Sequence, residues 1–161
     1  LGPLSNPAGA TRQLLGVYAP DKLVVMAEAL RTLGTHTAWV IHGDGGLDEA
    51  ALSGPTRVAA LSGGAIETFE ITPEDAGLER SALEALRGGD PGHNAAALRA
   101  LLAGASGAYR DAVILNAACA LMVAGAADDL KQAAHHARES IERGAALRAL
   151  EALVAITNEP S

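Results

Sequence analysis

Trp39-Val40-Ile41-His42-Gly43-Asp44-Gly45-Gly46-Leu47-Asp48-Glu49 is an apolar run that passes into a glycine-rich loop and ends on two neighbouring carboxylates. Residues 37–41 are rich in β-branched and aromatic side chains, the composition of a buried strand, and the Gly-Asp-Gly-Gly run stops them abruptly. The acids therefore sit on a loop. Neighbours on a strand point to opposite faces, whereas neighbours on a turn can both reach one bound object. Two carboxylates ~4 Å apart repel by ~4 kcal/mol at an effective dielectric near 20 unless positive charge lies between them. From the residues alone, Asp48 and Glu49 read either as a solvated acidic turn or as half of a cation site.

Upstream, residues 13–18 form a strand candidate. Pro20 then opens a helical pattern in which Leu23, Met26, Ala27, Leu30 and Leu33 recur at three- and four-residue spacing until Gly34. Strand, helix, strand with short joins is the unit of a parallel sheet, and its right-handed crossover sets the loops after the strands along one edge. Ligands of open α/β sheets collect at that edge, where Asp48 and Glu49 are expected. Residues 1–10, with two prolines and two glycines, read as an extended connection.

Downstream, residues 56–61 and 65–71 are strand candidates, and Ser62-Gly63-Gly64 between them reads as a hairpin turn. Thr72-Pro73-Glu74-Asp75 is an N-cap with proline at the first helical position, and Ser81-Ala82-Leu83-Glu84 matches a capping box. The rest is helical: residues 91–102, 109–124, 129–143 and 145–156, broken by Gly104, Gly107, Gly125 and Gly144. The helix at 109–124 is apolar nearly all round and is expected between layers, with Asn116 as a hydrogen-bonded structural group inside it. The fold class is α/β, a mixed or parallel sheet flanked by helices.

Composition narrows the function. Twelve Lys and Arg against 19 Asp and Glu leave a formal charge of −7, which opposes a phosphate backbone, and 2% aromatic residues supply few stacking platforms, so nucleic acid is a poor partner. A chain of 161 residues can bury roughly 70% of its unfolded surface, enough for a core. Cys119, the single cysteine, lies in an apolar run and reads as a small buried hydrophobe in a cytoplasmic protein. No apolar run reaches the ~18 residues of a spanning helix, and no basic-then-apolar signal opens the chain. The absence of Met at position 1 suggests processing or truncation. Asp44 reads as a loop-forming residue between glycines. His42 is weak support for a metal ligand, and His36, His93, His135 and His136 have no zinc-like spacing. Arg12 and Arg57 read as surface groups that could face phosphate. No arrangement for nucleophilic catalysis is visible, so no catalytic acid, base or nucleophile is assigned.

Residues 42–49 resemble the Gly-x-x-Gly-Leu-Asp-Glu segment of anthranilate phosphoribosyltransferases. Leu1-Gly2-Pro3-Leu4-Ser5-Asn6-Pro7-Ala8 resembles their Gly-Pro-Leu-x-Asn-Pro-Ala segment, and further pieces follow in order: Leu52-Ser53-Gly54-Pro55-Thr56, Thr72-Pro73-Glu74-Asp75-Ala76-Gly77-Leu78, Gly88-Gly89-Asp90 with Asn94-Ala95, and residues 111–118. The resemblance spans nearly the whole chain. It implies the C-terminal portion, residues 1–161, of the large α/β domain of a nucleoside phosphorylase/phosphoribosyltransferase-like fold. It also implies that Asp48 and Glu49 hold Mg2+ accompanying phosphoribosyl pyrophosphate, and that phosphoribose passes to anthranilate in tryptophan biosynthesis. In the resembling enzymes the glycine-rich phosphate loop, a metal-binding serine, the diphosphate-gripping basic residues and an anthranilate-binding arginine all belong to an earlier half. A small N-terminal helical domain makes the homodimer. The chain alone is accordingly expected to be inactive, with an unpaired sheet edge or apolar patch that favours self-association. The alternatives are a pyrimidine nucleoside phosphorylase-like enzyme and a non-catalytic nucleic-acid-binding paralogue of the same fold.

Overall fold

The structure is a computed structural model that describes residues 2–5 and 8–159. Its centre is a four-stranded sheet in the order β1 (Arg12–Gly16), β2 (Thr37–Gly43), β3 (Thr56–Ser62), β4 (Ala65–Ile71). β1 and β2 are parallel, joined through α1 (Lys22–Thr32), as a strand–helix–strand unit requires. The other two pairings are antiparallel, so the sheet is mixed. The β3–β4 turn places both Gly63 (φ 56°) and Gly64 (φ 84°) in the left-handed region, which glycine enters without the steric cost of a side chain.

Alternation along the strands makes two cores. Ala38, Val40, Ala59 and Leu61 face α1, meeting Leu23, Ala27 and Leu30. Ile41, Val58 and Ile71 face the opposite way, into the larger core beneath α3 (Ala108–Ala124) and α4 (Leu130–Glu142). The helix expected between layers is therefore there: α3 packs on β1 and β2 on one side and on α4 on the other. Helix α2 (Pro91–Leu102) packs on α3 and α4, and helix α5 (Ala145–Thr157) packs on α4 and α2. α5 buries no residue fully and leaves Leu153 and Ile156 exposed.

Three expectations change. The first strand runs Arg12–Gly16, starting one residue earlier and ending two earlier than 13–18, because pairing with Thr37–Ile41 ends there; the Val17 N–H still donates to the Ile41 carbonyl at 2.9 Å. Residues 2–5 form a short 3₁₀ helix in place of an extended connection, while Leu1, Asn6 and Pro7 lie outside the described residues. The capping box at Ser81 is not formed. The 3₁₀ turn Leu83–Leu86 has Ala82 at its N-cap, and the Ser81 N–H is committed to the Leu52 carbonyl at 3.1 Å, a tertiary contact that fixes the chain before the turn starts. Thr72 is the N-cap expected, and it adds a capping box: the Thr72 N–H donates to the Asp75 carboxylate at 2.7 Å ahead of a 3₁₀ turn, Pro73–Ala76.

Candidate active site

Because β1 and β2 are parallel, both end on the same edge of the sheet, and the loop after β2 turns back across that edge. Gly45 (φ 76°) and Gly46 (φ 83°) make the reversal, and paired hydrogen bonds between Gly43 and Leu47 (2.8 and 3.2 Å) close it. Residues 48–50 then run directly over the strand ends. A Cβ on Gly16 would lie 1.6 Å from the Asp48 carbonyl oxygen, and one on Gly43 would lie 2.3 Å from that of Glu49. Only glycine at both positions lets backbone lie on backbone here.

Ala50 is gripped next. The Asn116 side chain, reaching from α3, accepts from the Ala50 N–H at 2.8 Å and donates to the Ala50 carbonyl at 3.0 Å. The same amide nitrogen donates to the Ala112 carbonyl one turn back on α3, at 3.0 Å. One residue on, the buried hydroxyl of Thr56 accepts from the Ala51 N–H at 2.9 Å. The structural role expected of Asn116 is thus present, and its object is the acidic loop.

The two carboxylates themselves are exposed, and among the described residues neither has a hydrogen-bond or ion-pair partner. Both line one open cleft of about 570 Å³, together with Leu14, Gly16 and Ile41 from the strands, Leu86, and Tyr109, Ala112, Val113, Asn116 and Ala117 along α3. One end of this cleft is acidic and most of its remaining wall is apolar. Unpaired carboxylate oxygens on an open wall are the donor set that a hard divalent cation takes when it keeps waters and shares a phosphate-bearing ligand. Among the described residues there is no cluster of three or more potential metal-binding side chains. The wall offers two carboxylates, and no third.

Other candidates are drawn elsewhere. Asp44 turns away, its carboxyl packed against Gly54, where a Cβ would sit 2.8 Å from the Asp44 Cγ. The His42 Nδ1 pairs with the Val17 carbonyl at 2.8 Å, linking β2 to the end of β1. Arg57 pairs with Glu70 across the β3–β4 ladder at 3.2 Å. The Arg12 guanidinium donates to the carbonyls of Val123 and Ala124, capping the C-terminus of α3, where a cation complements the helix dipole. Cys119 is fully buried on α3, and desolvation pushes its thiol up to about 12. Sequence reasoning missed Gly16, Leu86 and Tyr109. Gly16 carries a trace of its role, a glycine ending an apolar strand; Leu86 and Tyr109 leave none, since only the folded chain brings them to the same wall.

This fold and its acidic strand-end loop place the chain in a known class: it belongs to the glycosyl transferase family, a/b domain, whose model matches residues 1–147. Within that class it is similar to anthranilate phosphoribosyltransferases. It is 57% identical over 158 residues to the one from Parvibaculum lavamentivorans and 55% identical over 159 residues to the one from Xanthobacter autotrophicus, covering 98% and 99% of this chain but 46% of each relative. Among solved structures, anthranilate phosphoribosyltransferase from Thermus thermophilus superposes with a TM-score of 0.88 at 44% identity, covering 96% of this chain and 45% of that one. The Saccharomyces cerevisiae enzyme in complex with PRPP and Mg superposes with a TM-score of 0.84 at 30% identity, over 94% and 44%. The chain spans just under half the length of the relatives it matches.

Proposed function

We propose that residues 1–161 are the C-terminal portion of the α/β domain of a magnesium-dependent anthranilate phosphoribosyltransferase, and that Asp48 and Glu49 hold its metal. The observation that carries this reading is the pair of uncompensated carboxylates on one open wall, on a backbone immobilised from two sides. The yeast relative's complex with PRPP and Mg supports a sugar diphosphate as the ligand that shares the cation.

The reaction proposed is displacement at the sugar's C1: a bond forms to the amino nitrogen of anthranilate as the bond to diphosphate breaks, and the nitrogen's surplus proton passes to water. Magnesium held at this wall would offset the charge gathering on the departing oxygens. Asp48 and Glu49 act as oxygen donors and transfer no proton. Gly16, Gly43 and Asn116 fix the loop before substrate arrives, so little reorganisation remains at the moment of reaction. The apolar wall of Leu14, Ile41, Val113 and Ala117 limits water around a sugar whose C1 is susceptible to hydrolysis. The whole protein is proposed to be a cytoplasmic homodimer; no helix among the described residues is long and apolar enough to cross a membrane.

The test is the double substitution Asp48→Asn, Glu49→Gln in the full-length protein, assayed for phosphoribosyl transfer over a magnesium series. Loss of a single preorganised charge-stabilising group typically costs ~10²–10³ in turnover, so at least that loss is expected, together with loss of the magnesium response. A variant with undiminished, magnesium-dependent turnover would overturn the assignment.

A further inference from the structure

We infer that Asn116 is the positioning residue of the metal-binding loop: its side-chain amide grips both polar groups of Ala50 and thereby sets how tightly Asp48 and Glu49 hold a divalent cation. The inference rests on the metal-binding reading of that pair. It goes beyond it by assigning the control of affinity to a residue on another element, 66 positions away in the chain.

Three features carry it. First, the grip has two points. The Asn116 Oδ1 accepts from the Ala50 N–H at 2.8 Å while its Nδ2 donates to the Ala50 carbonyl at 3.0 Å, a pairing that restrains rotation of the backbone as well as its displacement. Ala50 directly follows Glu49, so the Ala50 N–H belongs to the peptide plane that leaves the Glu49 Cα, and fixing that plane restricts the direction in which the Glu49 side chain departs. Second, the grip is itself anchored. The other Nδ2 hydrogen goes to the Ala112 carbonyl at 3.0 Å, so both amide hydrogens and the amide oxygen are used and the side chain is held against α3 in one orientation. Third, Asn116 lines the same cleft as the two acids but bears no charge. It can tune the cation site by geometry without competing for the cation.

The neutral amide is what this position needs. A carboxylate of the same shape has two acceptor oxygens and no donor, and would face the carbonyls of Ala50 and Ala112 at the distance where Nδ2 now donates. Charge and geometry then make opposite predictions for Asn116→Asp. An added negative charge beside two carboxylates strengthens cation attraction if only the charge matters. The same change loosens the loop and weakens the site if the grip matters.

The experiment is a Mn2+ titration of the full-length protein, followed by loss of the free-ion electron paramagnetic resonance signal, in wild type, Asn116→Asp, Asn116→Ala, Asp48→Asn/Glu49→Gln, and the control Ile114→Val. Ile114 lies buried on the same helix and its side chain has no hydrogen-bonding group to offer the loop's amides, so it reports the effect of merely thinning the core. Groups that orient a metal ligand typically change affinity 10- to 100-fold when removed. We expect Asn116→Ala and Asn116→Asp each to weaken Mn2+ binding at least about tenfold with Ile114→Val near wild type. Tighter binding by Asn116→Asp, unchanged binding by Asn116→Ala, or an equal loss in Ile114→Val would each overturn the positioning role. Wild type and the double acidic variant binding Mn2+ alike would instead overturn the metal-site reading beneath it.

Discussion

Two concavities of comparable size mark opposite faces of the chemistry. The cleft at the strand ends, about 570 Å³, holds Asp48 and Glu49; a groove of about 430 Å³ between α4 and the Pro73–Ala76 turn is lined by Lys131, His135 and Arg138. The cleft presents two carboxylates and the groove two cations, Lys131 and Arg138, with Asp129 on the same wall, and they differ in what holds those charges. At the cleft, glycine-on-backbone contacts and the Asn116 grip fix the loop's peptide groups. At the groove, Lys131 and Arg138 stand on α4 with no hydrogen-bond or ion-pair partner among the described residues, and His135 has Glu139 at 4.0 Å. Long side chains on a solvated helix lose rotamer entropy whenever they converge on a ligand. The two concavities therefore differ most in prior immobilisation.

Breaking the cleft takes a single methyl group. Gly16→Ala would set a Cβ 1.6 Å from the Asp48 carbonyl oxygen, so the loop must lift off β1. Overpacking of this kind costs about 3 kcal/mol, and the proposed metal site would move with the loop. Chemical denaturation should show that loss, and the Mn2+ titration should show no tight site. A Gly16→Ala protein of wild-type stability and affinity would mean that the backbone approach carries no weight.

A second measurement sharpens the contrast between a dry helix and a wet one. Cys119 sits at 0% exposure on α3, behind the cleft, and burial raises its thiol from 9.0 to about 12. The folded state keeps this proton where the unfolded chain releases it. The resulting contribution to stability is complete below pH 9 and is lost as pH rises from 9 towards 12, at about 1.4 kcal/mol per pH unit. Denaturation midpoints of wild type and Cys119→Ala should run parallel below pH 9 and converge above it. Parallel curves throughout would contradict a buried neutral thiol.

The smallest effect belongs to the groove. Lys131→Ala with Arg138→Ala removes two cations that have no carboxylate partner among the described residues. Stability should change by less than ~0.5 kcal/mol, and Mn2+ binding and turnover by less than about twofold. A tenfold fall in either would show that the groove is no mere solvated face.

Much of the fold was legible in residue order because it depends on local chemistry. β-branched and aromatic composition located β2, three- and four-residue spacing located α1, and Gly63-Gly64 located the hairpin. Asp129 caps α4 through the Gln132 N–H at 2.7 Å, close to the expected start. Ser81 shows where such reading stops. Its capping pattern is intact, yet the Leu52 carbonyl, 29 residues away, takes the N–H and leaves Ala82 at the cap. Asn116 shows the same from the other side: pattern says that a polar group in an apolar helix must be satisfied, and cannot say by what.

The amino-acid sequence by itself determined the α/β class, the parallel unit that puts two strand ends on one edge, and the adjacency of two acids on a loop after the second strand. These follow from periodicity, handed crossover and glycine backbone freedom, all of which act over a few residues or one supersecondary unit. Tertiary structure alone decided that the loop lies on Gly16, that α3 supplies the amide gripping Ala50, and that Leu86 and Tyr109 complete the wall. Those contacts join residues tens of positions apart, and packing selects among partners that local pattern leaves equivalent.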